Sequence, residues 1–134
     1  MTTDGRILFV DDDKEDRFLI AHAFSELGMS GNVDFLNDGV EVLPFLEAKP
    51  ANPVRLIILD LNMPVLNGTE TLRVLKNDPR FCNIPVLILT TSANRLEKEN
   101  SLQLGAVAFR EKPARFRDYL SFCEEMQQMA AAGN

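Results

Sequence analysis

Two short apolar runs constrain this chain more than any other feature. One is LIIL, inside the strand-like segment 54–59 (VRLIIL); the other is VLIL, inside segment 85–89 (PVLIL). A strand with one wet face alternates apolar and polar residues. A strand apolar at every position is buried on both faces, as in a parallel sheet covered by helices. Each run is far below the roughly 20 residues that span a bilayer.

The rest of the 134 residues alternates between strand and helix patterns. Residues 6–10 (RILFV) read as a strand. Residues 14–27 place Leu19, Ile20, Ala23, Phe24 and Leu27 on one helix face, and Gly28 stops that helix. Residues 33–36 form a weak strand, and residues 39–48 a helix capped by Asp38. Residues 67–76 form a helix closed by the Asp78-Pro79 turn, and residues 95–104 a polar helix ending at Gly105. Residues 106–109 are the fifth strand and residues 116–129 the last helix. Five successive β/α units with right-handed crossovers favour a doubly wound α/β sheet. Such sheets bind ligands at the C-terminal ends of their strands.

Chemistry is concentrated where that rule directs attention. The first strand runs into Asp11, Asp12 and Asp13; the third into Asp60; the fourth into Thr90 and Thr91; the fifth leads to Lys112 and Pro113. Converging carboxylates repel and raise one another's pKa. A hard divalent cation relieves this, and Mg²⁺ suits oxygen donors, with Mn²⁺ as a substitute. Asp11, Asp12 and Asp60 carry −3 formally, which one lysine and one divalent cation balance. A neutralised site of this kind can hold a phosphoryl group.

Other function classes are poorly served. The net charge of −6 argues against direct nucleic-acid binding. No GxGxxG or GxxxxGK[ST] loop occurs. His22 is the sole histidine, so His-based nucleophilic catalysis is hard to build; it lies off the predicted core face and is expected to be exposed. Cys82 and Cys123 lack metal-ligand spacing and read as reduced, structural thiols. With no signal-peptide or membrane-spanning pattern, a cytoplasmic chain without membrane association is expected. The chain ends soon after the last helix, which suggests one domain over residues 1–134 with no output domain.

The segments LFVDD (8–12), LDLNMP (59–64) with Asn67-Gly68, VLILTT (86–91) and FREKP (109–113) occur in this order. Together they resemble the bacterial two-component receiver family. The likeness spans nearly the whole chain and implies a flavodoxin-like five-stranded parallel sheet of order 2-1-3-4-5 with five helices. Segments 38–46, 59–64 and 87–92, with the loop 77–85, look most like small single-domain regulators paired with bacterial phytochromes and other sensor kinases. For that subgroup a homodimer is one expected form.

The resemblance also implies roles. Asp60 is the phosphoryl acceptor and a metal ligand. Asp12 binds Mg²⁺ directly, Asp11 through water, and Asn62 offers its backbone carbonyl. Thr90 bonds a phosphoryl oxygen, Thr91 leaves that group accessible, and Lys112 neutralises it. A cis Lys112–Pro113 bond aims the ammonium. Phe109 is the switch aromatic, turning inward as Thr90 moves. Phe18, off the core face of the first helix, is a candidate partner contact. The partners implied are a sensor histidine kinase or phosphotransfer protein and an unidentified downstream protein.

Plainer readings stand beside these. Asp11, Asp12 and Asp13 can serve as helix caps, and for Asp13 the cap is the better reading. Phe109 can be ordinary core, and Phe18 ordinary packing. Relatives place a large apolar residue after Lys-Pro, where this chain has Ala114. A haloacid-dehalogenase-like phosphatase also uses a strand-end Asp, a Thr and a Lys. It needs a second acid two residues after its nucleophile, and here that position is Asn62. Neither Asn62 nor Ser92 is a strong acid or base, so fast general-base hydrolysis is not expected. A binding module of the same fold that is never phosphorylated is the other rival; the full acidic set with Lys112 argues against it.

Overall fold

The computed structural model describes residues 6–48, 53–91 and 94–132, without the side chain of Ser30; Ser92 therefore lies outside the described residues. Five strands alternate with five α-helices: β1 Arg6–Val10, α1 Lys14–Glu26, β2 Val33–Leu36, α2 Val42–Glu47, β3 Val54–Asp60, α3 Gly68–Lys76, β4 Val86–Thr90, α4 Arg95–Gln103, β5 Ala108–Glu111 and α5 Phe116–Ala132. The sheet is parallel in every pairing, in the order β2-β1-β3-β4-β5. The expected fold is therefore met.

Why the central strands are apolar throughout is visible in their two faces. Ile7 and Phe9 of β1, with Leu56 and Ile58 of β3, join Ile20, Phe24, Phe122 and Met126 from α1 and α5. Leu8 and Val10, with Ile57 and Leu59, join Leu46, Leu72 and Leu75 from α2 and α3. Successive side chains point to opposite faces, and each face meets its own core.

Local signals set the helix ends. Asp13 caps α1 by accepting from the Glu15 N–H. Gly28 follows at φ 75°, a left-handed conformation that glycine adopts without a Cβ clash. Asn67 and Glu70 form a reciprocal capping box at the start of α3.

Two expected boundaries are corrected. The helix predicted over 39–48 divides into a 3₁₀ turn, Gly39–Glu41, followed by α2. The fifth strand lies two residues later than the apolar pattern suggests. Ala106 N–H still bonds Ser101 O, closing α4, while the exposed Arg110 and the Glu111 beside it belong to the ladder. An edge strand tolerates such charged residues.

Asp38 does more than cap. Its buried carboxylate accepts from Val40 N–H at 3.0 Å, Val65 N–H at 3.0 Å and Leu66 N–H at 2.9 Å. It thereby ties the β2–α2 turn to the loop after β3. Burial works to raise its pKa, but these backbone donors and that of Gly39 outweigh it, and the pKa is lowered. A depressed carboxylate stabilises the fold above the ordinary Asp pKa, and the contribution is lost as pH falls through the folded value. Asp38→Ala is expected to cost about 2–3 kcal/mol at pH 7, since it strands several amide donors. Urea unfolding at pH 7 measures this, and the deficit should shrink towards pH 3.

Candidate functional site

Parallel register alone brings the chemistry together. Val10 stands opposite Leu59, so Asp11 follows β1 beside Asp60, the last residue of β3. Asp60 aligns with Leu89, and Thr90 with Glu111. The Lys112 amide then donates to Thr90 O at 2.7 Å. The chain runs from β1 out to β2 and returns on the other side with β3. Asp11 and Asp60 thus flank the point where the sheet reverses its winding.

Asp11, Asp12 and Asp60 each present a carboxylate oxygen, all within 4.8 Å of one another. Asp11 and Asp60 are buried and Asp12 is exposed, so the cluster opens to solvent on one side. Lys112 Nζ sits 2.8 Å from Asp11 Oδ2, 2.6 Å from Asp16 Oδ2 and 3.7 Å from Asp60 Oδ2. Asp11 Oδ1 accepts from the Asp13 N–H, and Arg17 Nη1 donates to Asp11 O, fixing the β1–α1 turn. Gly68 is required beneath the site: a Cβ there would lie 2.5 Å from Asp60 O.

The electrostatics follow from this crowding. Burial, and then the charge of Asp11, push the Asp60 carboxyl up to about 7; Lys112 and the Asn62 backbone N–H oppose the shift. Asp11 is raised too, chiefly by burial. Burial disfavours the Lys112 charge, but Asp11, Asp16 and Asp60 together outweigh it, and its pKa is raised. Two like carboxylates at low exposure with one ammonium are short of positive charge. The donor set, all hard oxygens with an open side, fits a divalent cation.

Thr90 is fully buried, and its hydroxyl oxygen has no hydrogen-bond partner among the described residues. Thr91 and Asn62 are exposed at the rim. Phe109 is 7% exposed and already packs inward, with Leu8, Val10 and Ile88 among its core cluster. Phe18 is 68% exposed; its ring stacks on His22, which in turn meets Phe116 at 5.0 Å between centroids. Ala114 is exposed, and Phe116 supplies apolar packing two residues later.

One expectation is corrected. No described peptide bond is cis, so Lys112–Pro113 is trans. The cis form is intrinsically disfavoured even before proline. Here the trans chain already delivers the ammonium to the carboxylates while its amide extends the β4–β5 ladder.

A family model described as the response regulator receiver domain matches residues 7–123. The chain belongs to the response-regulator receiver family. Among relatives of this receiver, the probable methanogenesis regulatory protein FilR2 of Methanothrix harundinacea is 32% identical over 91% of this chain and 81% of its own length. The response regulator Rcp1 of Synechocystis is 30% identical over 90% of this chain and 85% of its own. The crystal structure of the phosphorylated cyanobacterial phytochrome response regulator RcpA superposes with a TM-score of 0.85 at 28% identity, covering 98% of this chain and 97% of RcpA. The Mn²⁺-bound form of Rcp1 superposes at 0.77 and 30% identity, covering 92% of both chains. Other relatives are much longer, and the receiver spans 36% and 32% of two of them. Among the described residues, no helix is long and apolar enough to cross a membrane.

Two features of this receiver's site escaped the sequence reading. Asp16, an acidic residue in the first turn of α1, bonds Lys112. Asp38 counted only as a cap. Both partnerships join residues far apart in sequence, and no local pattern signals them.

Proposed function

We propose that this receiver accepts a phosphoryl group on Asp60 from a phosphohistidine of a sensor kinase or phosphotransfer protein. It then shifts its conformational balance and signals through a downstream protein. The observation that carries the reading is the convergence of three carboxylates within 4.8 Å, faced by a buried ammonium and a buried hydroxyl that has no partner among the described residues.

Asp11, Asp12, Asp60 and the Asn62 backbone carbonyl would hold Mg²⁺, or Mn²⁺ in its place. The manganese-bound Rcp1 supports a divalent ion here. When bound, it supplies positive charge for the phosphoryl oxygens.

The Asp60 carboxylate attacks phosphorus in line. A new O–P bond forms as the N–P bond of the phosphohistidine breaks, and the imidazole leaves with the electron pair. Lys112 offsets charge on the equatorial oxygens. The product is an acyl phosphate. In hydrolysis a water oxygen bonds phosphorus, the Asp60 O–P bond breaks, and the carboxylate is regenerated with inorganic phosphate. Asn62 and Thr91 offer that water no strong base, which supports slow turnover.

Among the described residues Thr90 has no partner for its hydroxyl, and a phosphoryl oxygen would supply one. Phe109 is packed inward, opposite Ile88 in the β4–β5 ladder, the position the switch requires after phosphorylation. Phosphorylation would then favour a conformer already accessible to the unmodified protein. The exposed Phe18 ring supports a partner contact beside the acidic site.

Beryllofluoride with Mg²⁺ tests the reading by ¹⁹F NMR. Saturable bound fluorine resonances are expected in the parent protein and none in Asp60→Asn. No bound signal from the parent, or equal binding by Asp60→Asn, would refute the assignment.

A further inference from the structure

Asp16 stands against Lys112 without any task in holding a metal or a phosphoryl group. Its position comes from the helix start. With Asp13 as N-cap, Asp16 is the third helical residue, where an acid commonly reaches back to the cap N–H. Here that N–H is already bound by Asp11 Oδ1 at 2.9 Å. The Asp16 carboxylate instead crosses to α5's approach and accepts from Lys112 Nζ at 2.6 Å. Of the three carboxylates around the ammonium it is the nearest, and Asp60, at 3.7 Å, is the farthest. Both side chains are shielded, Lys112 at 7% and Asp16 at 16% exposure. A charge-assisted bond in such surroundings is strong and directional.

The charge balance changes accordingly. Asp11, Asp12 and Asp60 are matched by Lys112 and a divalent cation, whereas Asp16, which shares that same ammonium, leaves the four carboxylates one negative charge in excess. That charge favours a bound cation and disfavours a bound phosphoryl dianion. It also occupies one of the three N–H donors of Lys112.

We propose that Asp16 is a positioning residue that holds Lys112 back from Asp60, shortening retention of the phosphoryl group while strengthening the hold on the divalent cation. This rests on Asp60 being the phosphoryl acceptor. The added field and the restrained lysine act in the same direction on the anion and oppositely on the cation.

The test uses the full chain with Asp16→Asn, which keeps shape and removes charge, and Asp16→Glu, which keeps charge. Mg²⁺ alone is titrated by ¹⁵N–¹H NMR, beryllofluoride at saturating Mg²⁺ by ¹⁹F NMR, and phosphoryl lifetime is followed after acetyl phosphate treatment. In Asp16→Asn the beryllofluoride Kd should fall about 3- to 10-fold, the lifetime should lengthen similarly, and the Mg²⁺ Kd should rise about 2- to 5-fold. Asp16→Glu should restore parent behaviour in all three. A purely structural role would weaken both ligands together. Weakening of both, or no change in either, overturns the proposal while an Asp60-dependent parent signal leaves the acceptor reading intact. Loss of that parent signal overturns both.

Discussion

Replacing Lys112 by Met is expected to destabilise the protein by about 2–4 kcal/mol at pH 8 and to abolish stable phosphorylation. Removing one partner of a buried ion pair typically costs about 3–5 kcal/mol, because the remaining charge is stranded. Here Asp11, Asp16 and Asp60 all lose their cation. Asp16 retains some access to water, and Asp11 and Asp60 can take up protons, so the expected cost is set slightly below that range. The pH dependence has a fixed sign. Without the ammonium, the Asp11 and Asp60 pKa values rise further above their ordinary range. The native variant then binds more protons than its unfolded chain, and its stability falls as pH rises. Urea unfolding at pH 5 and pH 8 should show a small deficit at the first and the full deficit at the second. An equal deficit at both would place the effect in packing rather than charge.

Asp60→Asn is expected to do the opposite to stability while also ending phosphoryl acceptance. The Asp60 carboxyl is held up to about 7, first by burial and then by Asp11. A raised carboxyl favours the native state at low pH, and that advantage is lost between the ordinary Asp value and about 7. Raising the carboxyl from 3.8 to about 7 corresponds to at most about 4 kcal/mol, and sharing of the titration with Asp11 and Lys112 reduces it. The asparagine variant should therefore be about 1–3 kcal/mol more stable than the parent at pH 8 without divalent cations, and near parity at pH 5. Added Mg²⁺ should narrow the gap, since it stabilises only a protein that binds it. Thermal unfolding with and without Mg²⁺ measures both effects. A destabilised variant at pH 8 would refute the picture of a carboxylate held against its preference.

These two variants touch the part of the molecule that was most legible in sequence. Asp11, Asp60 and Thr90 directly follow or close buried apolar strands, and a parallel sheet turns that sequence position into a shared edge. Elements whose burial is partial were less legible. In β5, Arg110 and Glu111 sit on an edge strand, where solvent permits charge and erases the apolar signal. In the segment 39–48, Gly39 and the Asp38 clamp favour a tight turn before α2 begins. The cis Lys112–Pro113 expectation came from family likeness, and the local residues neither require nor select it. The Asp16–Lys112 pair lies 96 positions apart in sequence, and the Asp38 bonds reach 27 and 28 positions; only three-dimensional placement reveals them.

Because its reactive groups come from the ends of β1, β3, β4 and β5, the pocket is owned by no segment of the chain. Truncation at almost any point removes a wall of it, and local unfolding of any of the four strands disperses it. Its chemistry is therefore an all-or-none gauge of the native ensemble: occupancy by an ion or a beryllofluoride group counts folded molecules. A substitution far from Asp60 that merely lowers the folded fraction will lower the apparent signalling capacity in proportion. Conversely, a bound ligand at a hundredfold excess over its Kd adds about 2.7 kcal/mol to the stability of the whole chain.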